Sequence, residues 1–285
     1  MPMITPEFKR YSWCIFWLLT LLLIAVLWLA HELFGPPVLA AELHYQVFAE
    51  NLEEVSALAF DGNGSLYATL EKRQGQGQLV HIRQGQTNKL LDDMDKPDGI
   101  LLRGNTLYIT NEAGSHAIIV YESGTVHYLD GASGAEGIAS AGPEKILIIE
   151  DKKQDGRLLR IDPATAEIEV LLDGLKEAEG VCQSPDGDIY YVEKTTDHLS
   201  RYTRGRVTTA ATGLKNPAFL NCLADGSILI TEDRTNFGRL LRYRQGTIDV
   251  LATHLRSPQS VIIGTDGAYY LAEQRKDRIL RLYEF

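Results

Sequence analysis

Residues 178–194 read AEGVCQSPDGDIYYVEK, and the rest of the chain is organised by the pattern they hold. A small residue, an acid and a glycine lead into a short apolar stretch. An Asp-Gly turn follows, and a second apolar stretch ends on an acid. Period-two alternation on both sides of an Asp-Gly turn predicts a β-hairpin. The pattern returns as VSALAFDGNGSLYATLE (55–71), PDGILLRGNTLYITNE (97–112), AEGIASAGPEKILIIED (135–151), PAFLNCLADGSILITED (217–233) and PQSVIIGTDGAYYLAE (258–273). A third apolar segment follows each copy: GQLVHI, AIIVY, GRLLRI, LSRY, GRLLRY and RILRLY in chain order.

Aligned on the column before the first strand, the copies begin at Ser56, Asp98, Glu136, Glu179, Ala218 and Gln259, spaced 42, 38, 43, 39 and 41 residues apart. A period near 40 residues with three or four short strands per unit predicts an all-β fold, a six-bladed β-propeller. Armadillo-type helical repeats have a similar length, but the period-two alternation and the turns every dozen residues exclude them. The internal repeats run on into a fourth strand, as at 247–251, whereas the sixth stops at its third. The stretch LHYQVF at 43–48 has fourth-strand character and no first three strands of its own. An open ring would leave unpaired strand edges, so this N-terminal strand is expected to complete the last blade.

Ahead of the repeats, residues 11–30 (YSWCIFWLLTLLLIAVLWLA) carry no charge. About 20 apolar residues at a rise of about 1.5 Å each span a hydrocarbon core of roughly 30 Å. Trp13, Trp17 and Trp28 lie towards the two ends, where aromatic rings favour the interface. Lys9 and Arg10 precede the run, and His31 and Glu32 follow it. The positive-inside rule then keeps the N-terminus cytoplasmic and sends the propeller to the periplasmic or extracytoplasmic side. The expected domains are a cytoplasmic N-terminus (1–10), a transmembrane α-helix acting as signal-anchor (11–33), a tether (34–42) and the propeller (43–285). A cleaved signal peptide is the alternative. Its apolar region would be shorter, with small residues following closely, and here the small-residue stretch at 38–41 comes only after HELFGPP. Gly35, Pro36 and Pro37 stop the helix and stiffen the tether.

With 45% hydrophobic and 23% charged residues, the chain has the composition of a globular protein. Its net charge of -10 repels nucleic acid and favours cations or basic partners. Cys182 and Cys222 fall in predicted strands without zinc spacing, so two buried thiols are expected, with a disulfide as the alternative.

In a propeller the first strand of each blade is innermost, and the turn before it opens at one end of the central channel. Asp98, Glu136 and Glu179 occupy that turn in three consecutive blades, each followed by a glycine (Gly99, Gly137, Gly180) that lets backbones converge. Three converging carboxylates repel unless protons or a cation intervene. A hard cation with oxygen ligands answers this, and calcium tolerates irregular geometry better than magnesium. Asn111, Glu150, Glu193 and Glu232 share a second column, followed by Glu112, Asp151, Asp233 and Glu273. Asn221 is a further candidate amide donor. These acids read equally well as partners of nearby arginines such as Arg157 and Arg239. There is no GxSxG elbow, HExxH pair or phosphate-binding loop, and His116 and His198 read as turn residues.

The repeat, above all PDGILLRGNTLYITNE and AEGVCQSPDGDIYYVEK, resembles the SMP-30/gluconolactonase superfamily and its strictosidine synthase-like relatives over residues 43–285. NHL-type binding propellers share much of the motif. The resemblance implies a divalent cation, often calcium, held in the channel by acidic and Asn residues from the turns before the inner strands. It also implies that the cation polarises a lactone or ester carbonyl while a carboxylate helps activate water. Carried over by column, Asp98, Glu136 and Glu179 are the metal ligands, and Glu136 and Glu179 the catalytic candidates. Ser56, Ala218 and Gln259 fill the same column in the other blades. Two functions are thus expected. One is a membrane-anchored, metal-dependent hydrolase of a small-molecule lactone or ester. The other is a non-catalytic binding propeller or accessory subunit of a membrane protein complex.

Overall fold

The structure, a computed structural model, describes the backbone of residues 6–284; side chains of 6–12, 14, 31, 33 and 34 lie outside that description. Lys9, Arg10 and His31, used in the topology argument, are therefore outside the described side chains. The chain divides into two compact units, Met1–Pro37 and Val38–Phe285.

The first unit carries one helix, Pro6–Phe34, ended by Gly35 and the following prolines, which cannot continue it. Its described apolar side chains face outward, with Leu18 69% and Trp28 64% exposed. Among the described residues, no helix is long and apolar enough to cross a membrane.

The second unit is a ring of six antiparallel sheets. Their inner strands are Val55–Phe60, Pro97–Arg103, Ala135–Ala141, Ala178–Gln183, Pro217–Cys222 and Pro258–Ile263, numbered blades one to six. Each inner strand touches the next, and the sixth returns to the first, so the ring is closed. Between every pair of blades lies one apolar layer. Ile146, Ile148 and Leu159 fill that of blades two and three, and Leu229, Leu240 and Leu271 that of blades five and six. The period-two pattern seen in the sequence supplies these layers, because alternate residues of each strand face opposite neighbours.

The expected closure is present. His44–Ala49 pairs antiparallel with Arg278–Tyr283, setting Tyr45 opposite Leu282 and Val47 opposite Leu280. One strand was not anticipated. Val38–Leu39, placed in the tether by sequence, pairs with Thr253 and Ala252 on the outer strand of blade five. That outer strand offers unpaired backbone groups, and a passing extended segment satisfies some of them. The expectation of two free thiols is corrected as well. Cys182 and Cys222 form a disulfide between the inner strands of blades four and five, with Cα atoms 5.5 Å apart.

Candidate functional site: an acid-ended channel neutralised by lysines

Two local features repeated around the ring build one end of the channel. First, every inner strand begins with a register shift against its neighbour, as between Pro97 and Ile100, Ala135 and Ile138, or Ala178 and Val181. Such a bulge bends the strand and re-aims the residue it contains, here Ser56, Asp98, Glu136, Glu179, Ala218 or Gln259. Second, the residue two before that column has a left-handed backbone in all six blades: Glu54, Lys96, Gly134, Glu177, Asn216 and Ser257. Its carbonyl accepts the N–H of the residue that follows the second strand, as in Glu112 to Lys96 and Lys194 to Glu177.

The glycines after the acids have the role expected of them. A Cβ on Gly99 would lie 2.5 Å from the Glu136 carbonyl oxygen, and one on Gly137 would lie 2.3 Å from that of Glu179. Alanine at either position would push neighbouring inner strands apart.

Asp98, Glu136 and Glu179 are brought together and buried, at 2%, 4% and 4% exposure. The Ser56 hydroxyl donates to Asp98 Oδ1 at 2.6 Å. The residues after the second strands, Glu112 and Asp151, join the cluster. Two sets of three carboxylate oxygens result, Asp98–Glu112–Glu136 and Glu136–Asp151–Glu179, each with oxygens within 4.8 Å of one another. Sequence reasoning missed the counter-charges. Lys96 Nζ lies 3.2 Å from Asp98, 3.5 Å from Glu71 and 3.8 Å from Glu136, and it also contacts Glu112. Lys194 Nζ lies 2.7 Å from Glu179. Signals for both lysines exist in the repeat. Lys96 is the one basic residue in the column of Glu54, Gly134, Glu177, Asn216 and Ser257. Lys194 is the one basic residue among Glu71, Glu112, Asp151, Asp233 and Gln274.

The electrostatics follow from this crowding. Burial, then the charges of Glu179 and Asp98, push the Glu136 carboxyl well above the usual range. Burial also raises Glu179, but a hydrogen bond with Glu136 and the Lys194 ammonium pull it back. Burial thus favours the neutral form of both carboxyls, and the Lys194 ammonium offsets this at Glu179. Burial and the Asp98 charge lift Glu71 to about 8. Burial works against the Lys96 ammonium, but Asp98, Glu136, Glu71 and Glu179 more than offset it, holding its pKa above the ordinary lysine value.

Oxygen-only donor sets suit a hard divalent cation. Glu136 Oε2, buried and accepting no hydrogen bond, offers a free ligand position. The residues fit such an ion, with the Lys96 ammonium already seated against the first set. Beside them opens a cavity of about 370 Å³ lined by Glu112, Asp151, Lys152, Lys153, Glu177, Glu179 and Lys194.

The second column proves structural. Glu150 and Glu232 are fully buried, and each is gripped by an arginine of the next strand. Arg157 meets Glu150 at 2.6 and 2.8 Å, and Arg239 meets Glu232 at 2.5 Å through two nitrogens. The free carboxylate positions cap backbone N–H groups at the mouth, those of Ser133 and Lys215. Glu273 belongs to this column rather than the next, since it accepts the Arg256 N–H at 2.8 Å and pairs with Arg278. Glu193 and Asn111 cap Lys176 and Asp95 in the same way. Asn221 does not join the acids. It lies at the opposite end of the inner strand, donating to the Val261 carbonyl at 3.0 Å, and lines a separate channel cavity of about 340 Å³ with Cys182 and Cys222. His116 and His198 are half exposed, the former stacked on Tyr128.

Comparison with known proteins places this architecture. The strictosidine synthase family matches residues 143–205. The mouse adipocyte plasma membrane-associated protein is 43% identical over 51 residues, a match covering 18% of this chain and 12% of that relative's length. Among solved structures, a gluconolactonase from Xanthomonas campestris superposes with a TM-score of 0.73 at 12% identity, covering 88% of this chain and 95% of that one. The calcium-binding protein regucalcin from Agrobacterium tumefaciens gives 0.70 at 15% identity, covering 85% and 94%. The virginiamycin B lyase of Staphylococcus aureus gives 0.62 at 14% identity, covering 86% and 100%. The family match covers one stretch of the chain, and the solved structures share its six-bladed propeller fold. The lyase among the neighbours is a reminder that this fold serves more than one chemistry.

Proposed function

We propose that the chain is a membrane-anchored, extracytoplasmic hydrolase that binds a divalent cation, calcium foremost, at the acid end of its channel and opens small lactones or esters. The observation that carries this is the cluster of carboxyls around buried Glu136, whose oxygens lie within 4.8 Å of those of Asp98, Glu112, Asp151 and Glu179, beside a solvent-open cavity. Asp98, Glu112 and Glu136 would hold the cation, which when bound supplies Lewis-acid polarisation of a carbonyl. The proton work falls to Glu179. Kept closer to ionisation by Lys194, it takes a proton from water as the water oxygen adds to the carbonyl carbon. It returns that proton to the alkoxide oxygen as the C–O bond breaks, yielding a hydroxy acid from a lactone, while Glu136 stays ionised.

Anchoring is supported by the exposed apolar helix and by the flanking Lys9 and Arg10 in the sequence. The disulfide adds an independent argument for an oxidising compartment outside the cytoplasm. Calcium is preferred because the donors are carboxylates of irregular spacing, and one structural neighbour is described as a calcium-binding protein.

A second reading, a non-catalytic propeller or accessory subunit of a membrane complex, is favoured by the two lysines that already neutralise part of the acidic cluster. The test is a panel of small lactones and aryl esters with the purified full chain in calcium. Calcium-dependent turnover is expected, reduced about 100-fold or more in the Glu136→Gln and Glu179→Gln variants. No turnover, with co-purification from membranes at fixed stoichiometry with other subunits, would establish the second reading instead.

A further inference from the structure

Lys96 has an unusual place in the channel. Its left-handed backbone belongs to a position repeated in all six blades, yet no other blade puts a basic side chain there. Its ammonium is within 4 Å of carboxylates from three blades: Glu71 of blade one, Asp98 and Glu112 of blade two, and Glu136 of blade three. Three of these, Asp98, Glu112 and Glu136, are the members of the first oxygen set. The side chain is only 14% exposed, so its charge is little screened by water. Glu136 Oε2 remains without a hydrogen bond although the ammonium is 3.8 Å away. The amine offsets part of the cluster's charge but does not saturate its oxygens.

The geometry points to Lys96 as a tethered internal cation that competes with a divalent metal for the Asp98–Glu112–Glu136 oxygens, so that metal enters this set only as the ammonium withdraws. This inference rests on the proposed cation site and adds how its occupancy is set. A divalent ion and an ammonium in contact with the same three oxygens contend for the same lone pairs and repel each other in a weakly screened site, so each weakens the other's binding. The lysine tail has four carbons and rotatable bonds, and Glu112, which the ammonium contacts, lines the open cavity, so the ammonium can swing that way while its backbone stays fixed. The consequence is a site that is held together by its own cation when metal is scarce. Its metal affinity is weakened by the cost of breaking several short ion pairs. Lys194, which contacts Glu179 alone of the three central acids, weights the second set more lightly.

The test uses calcium alone, titrated calorimetrically into the purified full chain in detergent, for wild type, Lys96→Met and Lys96→Arg. Lys96→Met is expected to bind calcium about tenfold more tightly or better, the equivalent of one displaced ion pair. Lys96→Arg, which keeps the charge, is expected to bind no more tightly than wild type. Thermal unfolding of each variant accompanies the titration. A measurement on wild type keeps the inference exposed if Lys96→Met fails to fold. Amine-specific acylation read by mass spectrometry should label Lys96 faster at saturating calcium than without it. Calcium binding by wild type with unchanged Lys96 labelling, or equal affinity in a folded Lys96→Met, overturns the competition and leaves the cation site standing. Absence of calcium binding in both wild type and a folded Lys96→Met overturns the cation site, and the competition with it.

Discussion

At the scale of single residues, the mouth of the channel depends on carboxylates that are fully paired and on others that are not. Glu232 is fully buried and satisfied by Arg239 and the Lys215 N–H. Arg239→Ala strands a buried charge, and urea denaturation should register a loss of about 3–5 kcal/mol. Glu71 behaves oppositely. Its pKa is raised from 4.5 to about 8 on folding, so the unfolded chain releases this proton at lower pH than the folded one. Stability is therefore greatest below pH 4.5 for this group and falls as pH rises towards 8. Glu71→Gln, which mimics the neutral acid, should match wild type near pH 4.5 and exceed it in melting temperature at pH 8.5; an equal difference at both pH values would remove Glu71 as the cause. The sequence made Asp98, Glu136 and Glu179 visible because they share a column in consecutive blades. Lys96 and Lys194 stayed hidden, because each breaks its column rather than repeating it. Two partners of Lys96, Glu71 of blade one and Glu136 of blade three, also come from neighbouring blades, which only the assembled ring brings together.

At the scale of elements, the repeated bulge and left-handed position explain why acids at one turn reach the axis while the next column serves as caps. Strand identities, blade count and the closing strand were legible because hydrophobic alternation and Asp-Gly turns are local signals. The Val38–Leu39 strand was not, since two residues carry no period and their partner lies more than two hundred positions away. The disulfide was legible only as an alternative for a similar reason. Two cysteines 40 residues apart announce no pairing until adjacent inner strands bring them together. Replacing both by serine should cost about 2–5 kcal/mol in the oxidised protein. The same replacement should make stability insensitive to dithiothreitol, and a wild type equally insensitive would contradict a stabilising disulfide.

At the scale of the whole molecule, an apolar helix precedes a ring whose channel has two unlike ends. One end gathers Glu71, Asp98, Glu112, Glu136, Asp151 and Glu179 around two lysines, and the other holds the disulfide and Asn221 beside apolar walls. The central claim is that the acid end takes up a divalent cation. Thermal unfolding of the purified full chain, with and without millimolar calcium, tests it most directly when wild type is compared with the Glu136→Gln, Glu179→Gln double variant. A ligand at about 100 times its dissociation constant adds about 2.7 kcal/mol, which for a domain of this size raises the midpoint by roughly 5–10 °C. The account predicts that rise in wild type and its loss in the double variant. A wild-type midpoint unmoved by calcium, or an equal rise in both proteins, would contradict it.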